Sequence, residues 1–204
     1  MEYFNIAPVA SVIFVFTIIT SLYAFYDHSL YGKFMLHPYS VSKGQNVYTL
    51  ITSGLVHADW MHLFFNMFTF YAFAFTLERL MGSWQFGLLY FLGLVLSDLP
   101  TVIKHKDHFN YNSLGASGAI SAVLFSYILF NPMSKIYIMF IPIGIPAVFF
   151  GILYLIYCAY ASRNSRDHIN HDAHFFGALT GLIFTIIFVP GILQNFITML
   201  TGGR

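Results

Sequence analysis

Long apolar runs separated by short polar stretches dominate the chain. The first run, from Tyr3 to Tyr26, contains no charged residue and is long enough to cross a bilayer as a helix. Five further apolar runs follow, at about residues 60–77, 84–103, 115–131, 146–161 and 172–189. Charged residues, prolines and glycines stand at the ends of these runs, where they favour helix termination. The pattern predicts six membrane-spanning helices.

The composition agrees with a membrane protein. The chain has 204 residues, of which 58% are hydrophobic and 8% are charged, whereas a soluble domain carries roughly 25% charged residues. The net charge of +1 suggests no nucleic-acid partner, and a single cysteine, Cys158, excludes a disulfide framework. We therefore expect an all-α, polytopic membrane protein whose residues 1–204 form one domain in the lipid bilayer.

Two groups of polar residues lie inside or at the ends of the predicted spans. Polar side chains at membrane depth are costly and commonly mark function. His62 and Asn66 are four residues apart in the second predicted helix, so they share a face. Ser117 begins the fourth helix between Gly115 and Gly118, where it has little steric cover. Hydrogen bonding between helices and small-residue helix packing are the structural alternatives for these two groups.

The sixth predicted helix carries His174 followed by Gly177 and Gly181. Both glycines lie near the histidine's side of the helix, and glycines allow a neighbouring membrane helix to approach closely. The matching small residues of the fourth helix are Gly118 and Ala122. We therefore predict that these two helices pack together and bring His174 beside Ser117, although an interfacial role for His174 remains an alternative.

These motifs together resemble the rhomboid family of intramembrane serine proteases. Residues 115–118, Gly-Ala-Ser-Gly, are similar to the family's G-x-S-G motif, and residues 173–181 are similar to its A-H-x-x-G-x-x-x-G motif. The block from Gly44 to Met67 resembles the family's entry into its second helix. The resemblance extends over about residues 38–181. It departs at Ser121, where many members carry an aromatic residue that can stack on the catalytic histidine.

The resemblance implies a serine endopeptidase with Ser117 as nucleophile and His174 as base, without a third catalytic carboxylate. His62 and Asn66 are then oxyanion donors, supported by the free N–H groups at the start of the fourth helix. The glycines expected to provide helix packing at the site are Gly115, Gly118, Gly177 and Gly181. The implied substrates are transmembrane segments of other membrane proteins, and no metal or cofactor is implied.

Two other functions compete with this one. The first is a non-catalytic relative that binds membrane clients. The second is a membrane metalloenzyme that uses the regularly spaced His168, His171 and His174 as ligands. Inactive relatives typically lack the serine or the histidine, and both are present here. The metal alternative is disfavoured because residues 168–171 are predicted to be loop, and because a serine–glycine helix entry has no use in a metal site.

The resemblance also implies a multi-pass protein of a prokaryotic plasma membrane, with a cytoplasmic N-terminus and a site that opens outward. The basic residues oppose this orientation, because cytoplasmic loops are usually richer in lysine and arginine. The N-terminal side holds three: Arg79, Lys135 and Arg204. The opposite side holds six: Lys33, Lys43, Lys104, Lys106, Arg163 and Arg166. Because the first loop is long and these numbers are small, we expect the family orientation. The sequence does not indicate an oligomeric state.

Overall fold

A computed structural model of the chain describes residues 2–138, 142–165, 167 and 169–202. Within these residues the protein is mostly helical. The helices are α1 Glu2–Ile6, α2 Pro8–Tyr26, α3 Ser29–Phe34, α4 Pro38–Val41, α5 Thr49–Thr52, α6 Trp60–Met81, α7 Ser83–His105, α8 Ser117–Phe130, α9 Ala147–Asn164, α10 His171–Phe188 and α11 Ile192–Thr201. A 3₁₀ turn covers Ser53–Leu55, and two strands, β1 Lys135–Tyr137 and β2 Gly144–Pro146, form an antiparallel pair.

Each of the six predicted spans contains one helix of at least 14 residues. Among the described helices, α2, α7 and α10 meet both the length and the hydropathy expected of a membrane span. Helix α6 has 22 residues and α9 has 18, but α8 has only 14. Length and composition thus identify three membrane-spanning helices, and six crossings remain a prediction.

The first predicted span divides into two helices at Ala7. Pro8 begins α2, a position that proline favours because it has no N–H to leave unpaired. The carboxylate of Glu78, at the end of α6, accepts hydrogen bonds from the N–H groups of Val9 and Ala10, at 3.1 and 2.7 Å. Glu78 is 1% exposed. It therefore caps the positive end of α2 and joins the first two long helices.

Between α8 and α9 the mostly helical fold contains a short β-ladder, which the all-α prediction did not include. Ile136 pairs with Ile145 at the centre of the β1–β2 ladder. Each strand has three residues, which is too short for an alternating pattern to be distinguished in the sequence. A further difference lies at the C-terminal end, where α11 follows Gly191. That glycine has a φ of +77° in the left-handed region, so the Pro190-Gly191 signal ends one helix and precedes another.

Helix α8 lies at the centre of the bundle. It contacts α6, α7, α9, α10 and α11, and nearly all of its residues are buried. A helix that is apolar all round is typical of such a position. Its 14 residues span about 21 Å, which is shorter than a hydrocarbon core of about 30 Å. The start of α8 is therefore expected to lie below the membrane surface.

Helix α10 packs on α8 with backbone against backbone. A Cβ atom on Gly177 would overlap the carbonyl group of Gly118, and one on Gly181 would overlap the carbonyl group of Ala122. From the other side, a Cβ atom on Gly93 of α7 would lie 3.0 Å from the Cα of Ala119. Glycine is required at Gly177 and Gly181 because a Cβ atom there would overlap backbone atoms, whereas a Cβ atom at Gly93 would fit only tightly.

Candidate active site

Ser117 is the first residue of α8 and is partly exposed. The preceding residue, Ala116, has no side chain that could cap the helix. The first N–H groups of α8 therefore have no partner within the helix and carry the positive end of its dipole. This position places a serine hydroxyl next to backbone donors that can stabilise a negative charge.

Gly115 brings the ring of His62 against the backbone just before the serine. Its φ is +111°, and its N–H donates a hydrogen bond to the carbonyl oxygen of Ser53 at 2.9 Å. A Cβ atom on Gly115 would lie 2.6 Å from Cε1 and 2.7 Å from Nε2 of His62. Any other residue here is therefore opposed by backbone strain and by a clash with the imidazole.

The start of α6 orients the His62 ring. Asp59 caps this helix by accepting a hydrogen bond from the backbone N–H of His62 at 2.8 Å. His62 Nδ1 accepts a hydrogen bond from the N–H of Ala58 at 3.4 Å, which leaves Nε2 to carry the proton. Asn66 is 7% exposed, and its Nδ2 donates to the carbonyl oxygen of His62 at 2.9 Å. One of the two amide hydrogens of Asn66 is thus used within its own helix, and the other remains available.

His57 lies behind this pair and is fully buried. Its Nδ1 is 2.9 Å from the Oγ of Ser21, which donates its own proton to the carbonyl oxygen of Leu55. Nδ1 must therefore donate, and Nε2 accepts a hydrogen bond from the N–H of Ala116 at 3.4 Å. Burial, with the neighbouring His62 ring, lowers the pKa of His57 to about 3. A neutral His57 supports the turn before Ser117 as an acceptor.

His174 faces an aromatic ring that the sequence analysis did not identify. The ring of Tyr154, on α9, lies 6.3 Å from that of His174 between centroids, and the two planes differ by 14°. The Tyr154 hydroxyl forms a 2.8 Å hydrogen bond with the Oγ of Ser121. Ser121, the position at which the sequence departs from the resemblance, thus forms a hydrogen bond with an aromatic residue of another helix. No pattern in α9 marks Tyr154, because several tyrosines occur there.

The candidate residues share one water-accessible cavity of about 960 Å³. Its lining includes the four residues expected to do chemistry: Ser117, His174, His62 and Asn66. Within the described residues, the Ser117 hydroxyl and the His174 ring form no direct hydrogen bond. The structure thus brings the four residues to one cavity without the hydrogen bond of an assembled dyad.

The Asp172 carboxylate forms no hydrogen bond or ion pair with the His174 ring, although the two residues, both described by the structure, are two positions apart. It forms a 2.6 Å ion pair with Lys104 and also accepts a hydrogen bond from the Ser162 hydroxyl. These contacts tie the end of α7 to α9 and α10 at the rim of the cavity. The Asp172 carboxylate is thus engaged in joining three helices.

Two of the three histidines considered for a metal site, His171 and His174, lie in the described part of the structure. His168 lies outside the described residues. His171 and His174 do lie together, and the third member of their cluster is Cys158 of α9. Each of the three offers one ligand atom, and these atoms lie within 4.8 Å of one another.

Comparison with known proteins gives a consistent result. Residues 44–191 match the Rhomboid domain. "RHOMBOID-like protein 12, mitochondrial" from Arabidopsis thaliana is 27% identical over 170 residues, which cover 74% of this chain and 50% of that protein. "Putative rhomboid protease YdcA" from Bacillus subtilis is 31% identical over 140 residues, which cover 69% of this chain and 66% of that protein. The chain thus spans about half the length of the plant relative. Since the domain match extends over most of its residues, the chain belongs to the rhomboid family of integral membrane proteins.

Proposed function

We propose that this protein is an intramembrane serine endopeptidase that uses Ser117 and His174 as a catalytic dyad. The observation that carries the proposal is that both residues line one cavity, on two helices whose backbones touch at Gly118 and Gly177. Family membership supports the same reaction, and the Bacillus relative is named as a protease. Client binding without catalysis is the second candidate, and the retained serine and histidine favour the enzyme.

In the proposed reaction, the free ring nitrogen of His174 takes the proton of the Ser117 hydroxyl as the oxygen attacks a peptide carbonyl carbon. The tetrahedral intermediate collapses when the C–N bond breaks, and His174 returns the proton to the leaving amine. A water molecule from the cavity then attacks the acyl-serine ester with His174 again as base. Each turn of this cycle hydrolyses one peptide bond and regenerates both residues, with no cofactor.

The developing oxyanion requires donors near Ser117. We assign this role to the first N–H groups of α8, to the proton on Nε2 of His62 and to the free amide hydrogen of Asn66. The close approach of His62 to Gly115 supports its assignment. The roles of His57 and Asp59 are to hold the turn before Ser117 and the start of α6, and not to bind substrate.

The proposed substrates are transmembrane segments of other proteins, which reach the site from within the bilayer. Because α8 is too short to span the hydrocarbon core, Ser117 lies below the surface, and the cavity supplies the water that hydrolysis needs. Location in a prokaryotic plasma membrane is also part of the proposal. The names of the two relatives, one mitochondrial and one bacterial, leave this location to be tested in the source cell.

The test is cleavage of a model transmembrane substrate by purified protein, with Ser117→Ala, His174→Ala and the double variant alongside. We expect each single variant to lose cleavage by roughly 10³-fold or more, with no further loss in the double variant, because the two residues act as one unit. Thermal stability in detergent checks that the variants fold. Substantial cleavage by either single variant would contradict the dyad.

A different outcome would favour client binding. In that case the folded wild type binds the substrate but neither cleaves it nor reacts with a fluorophosphonate.

A further inference from the structure

A cluster of three metal-ligating side chains lies beside the proposed active site. Cys158 of α9 is 0% exposed, and His171 of α10 is 4% exposed. With His174 they place one sulfur and two ring nitrogens within 4.8 Å of one another. The cluster is thus closed off by protein on the side of Cys158, and it reaches the cavity through the two histidines.

His171 has an unpaired ring nitrogen in this cluster. Its Nε2 is 3.1 Å from each carboxylate oxygen of Asp167. Its Nδ1 is buried and has no hydrogen-bond partner among the described residues. A buried polar atom without a partner is unfavourable, and such exceptions call for an explanation. Because the Asp167 carboxylate accepts the proton on Nε2, the lone pair of His171 is on Nδ1.

This arrangement has the features of a metal site. A ligating histidine almost always donates its second ring N–H to a carboxylate or a carbonyl group, which fixes its tautomer and raises its basicity. Asp167 provides that contact for His171. A thiolate with two imidazoles is a donor set that zinc and similar ions prefer. In a tetrahedral site with one sulfur and two nitrogen ligands, the ligand atoms lie about 3.3–3.6 Å apart. Closing the 4.8 Å cluster around an ion therefore requires these atoms to approach one another by roughly 1 Å.

We infer that Cys158, His171 and His174 bind a divalent ion of the zinc class, entering from the cavity, and that the bound ion inhibits the enzyme. As the metal–sulfur bond forms, the Cys158 thiol releases its proton to water, and no electron is transferred. The lone pair of His174 that would accept the Ser117 proton is then donated to the ion. The inhibition rests on the proposed protease function, whereas the binding site does not.

Binding is measured with cobalt(II) as the probe, on the Ser117→Ala variant of the 204-residue chain in detergent. This variant removes proteolysis and leaves all three ligands in place. We expect one cobalt ion per chain, a sulfur-to-cobalt charge-transfer band, visible bands of tetrahedral intensity, and loss of the signal when zinc is added. Cobalt binding without a charge-transfer band would exclude Cys158 as a ligand and overturn the inference.

Variants locate the ion. Cys158→Ser should abolish the charge-transfer band, and Asp167→Ala should weaken cobalt binding about 10- to 100-fold through the loss of the supporting hydrogen bond. Asp167 is exposed, so its replacement does not endanger the fold. His108→Gln is the matched control, because His105 and His108 also lie together, with their Nδ1 atoms 3.0 Å apart. A signal that persists in Cys158→Ser, or that disappears in His108→Gln, would overturn the site.

Cleavage in the presence of zinc tests the inhibition. Zinc should slow the wild-type enzyme, and Cys158→Ser should require at least about tenfold more zinc for the same effect, because one of three ligands is lost. Equal inhibition of both proteins would overturn the link between this site and His174. If the protein binds cobalt as expected but cleaves no substrate at any metal concentration, the binding site stands and the protease proposal fails.

Discussion

At the scale of single residues, three histidines near Ser117 differ in what their partners allow. His57 donates to Ser21 and accepts from Ala116, so both of its nitrogens are occupied. His62 accepts at Nδ1 and is left with a donor at Nε2. His174 lies against Tyr154 and opens to the cavity. The same side chain therefore supports a turn, offers a proton or is free to accept one, according to its hydrogen bonds.

The buried His57 predicts a loss of stability in acid. Its pKa is about 3 in the folded protein and about 6.5 in the unfolded chain. Between these values the unfolded chain binds a proton that the folded protein does not. The contribution of His57 to the free energy of unfolding is therefore complete above about pH 6.5. It declines as the pH falls, by at most about 1.4 kcal/mol per pH unit.

The measurement compares melting temperatures in detergent at about pH 7 and about pH 5 for the wild type and His57→Gln. We expect the variant to be less stable at the higher pH and to lose less stability on acidification. All other histidines are unchanged, so the difference isolates His57. If acidification lowers the melting temperature of both proteins equally, the lowered pKa of His57 does not contribute to the loss of stability in acid.

Tyr154 is predicted to position the base through its ring. Tyr154→Leu removes the stacked surface and should lower the cleavage rate about 10- to 100-fold, since displacements near 1 Å can have effects of that size. Tyr154→Phe keeps the ring and should recover most of the rate, with a stability loss of about 1 kcal/mol from the unpaired Ser121 hydroxyl. Equal rates for the Leu and Phe variants would remove this role.

At the scale of elements, the site depends on contact between the backbones of α8 and α10. Gly177 faces Gly118 and Gly181 faces Ala122, so the two helices meet over a full turn. Ser97 of α7 also lies against Gly118. The start of α8 is thus held on several sides by glycine contacts, and helix packing fixes the position of Ser117 relative to α10 without any covalent link.

Replacing these glycines should separate the two helices. Gly177→Ala places a methyl group on the Gly118 carbonyl, beside Ser117, and Gly181→Ala does the same at Ala122, one turn deeper. We expect each variant to lose about 1–3 kcal/mol of stability. Gly177→Ala should also lower the cleavage rate of the folded protein, about 10²-fold for a 1 Å shift, whereas Gly181→Ala should affect stability more than rate.

The measurements are melting temperature and cleavage rate in the same detergent. Gly32→Ala is the matched control, because a Cβ atom at Gly32 would meet nothing within 4 Å. It should behave as the wild type. If the Gly177 and Gly181 variants also match the wild type in both measurements, the helices do not meet through this face.

At the scale of the whole molecule, neighbouring helices are joined at both ends of the bundle. At one end the Lys104–Asp172 ion pair and the hydrogen bond from Asn170 to Thr101 join α7 to α10 around the cavity mouth. At the other end the β1–β2 pair connects α8 to α9. Between these ends the helices expose apolar side chains, as on α2, where Val12 is 58% exposed. Such a surface is suited to lipid.

This arrangement predicts which residues share a side of the membrane. In cells that express single-cysteine variants on a Cys158→Ser background, Lys106→Cys and Asn164→Cys should react alike with an impermeant maleimide. Met133→Cys, near the β1–β2 pair, should show the opposite accessibility. All three positions are exposed, so burial does not confound the comparison. Labelling of Met133→Cys on the same side as the other two would exclude six crossings.

The sequence by itself determined the helical membrane architecture and the candidate chemistry. Apolar runs bounded by polar residues mark helices that must satisfy their backbone hydrogen bonds within the bilayer, so helix positions can be read locally. The glycines after His174 likewise identified the α8–α10 contact, because only helices with small residues can approach so closely. The catalytic roles of Ser117 and His174 stay predictions.

Only the tertiary structure decided which distant side chains meet at the site. Tyr154 reaches His174, and Cys158 completes the histidine cluster, because α9 packs against α10, and no periodicity in α9 marks either residue. His57 contacts Ala116 across 59 positions of sequence. Such contacts depend on how helices are oriented about their axes. Apolar periodicity leaves this orientation undetermined when lipid and protein core are equally apolar, since helices in a bilayer have no polar face to turn outward.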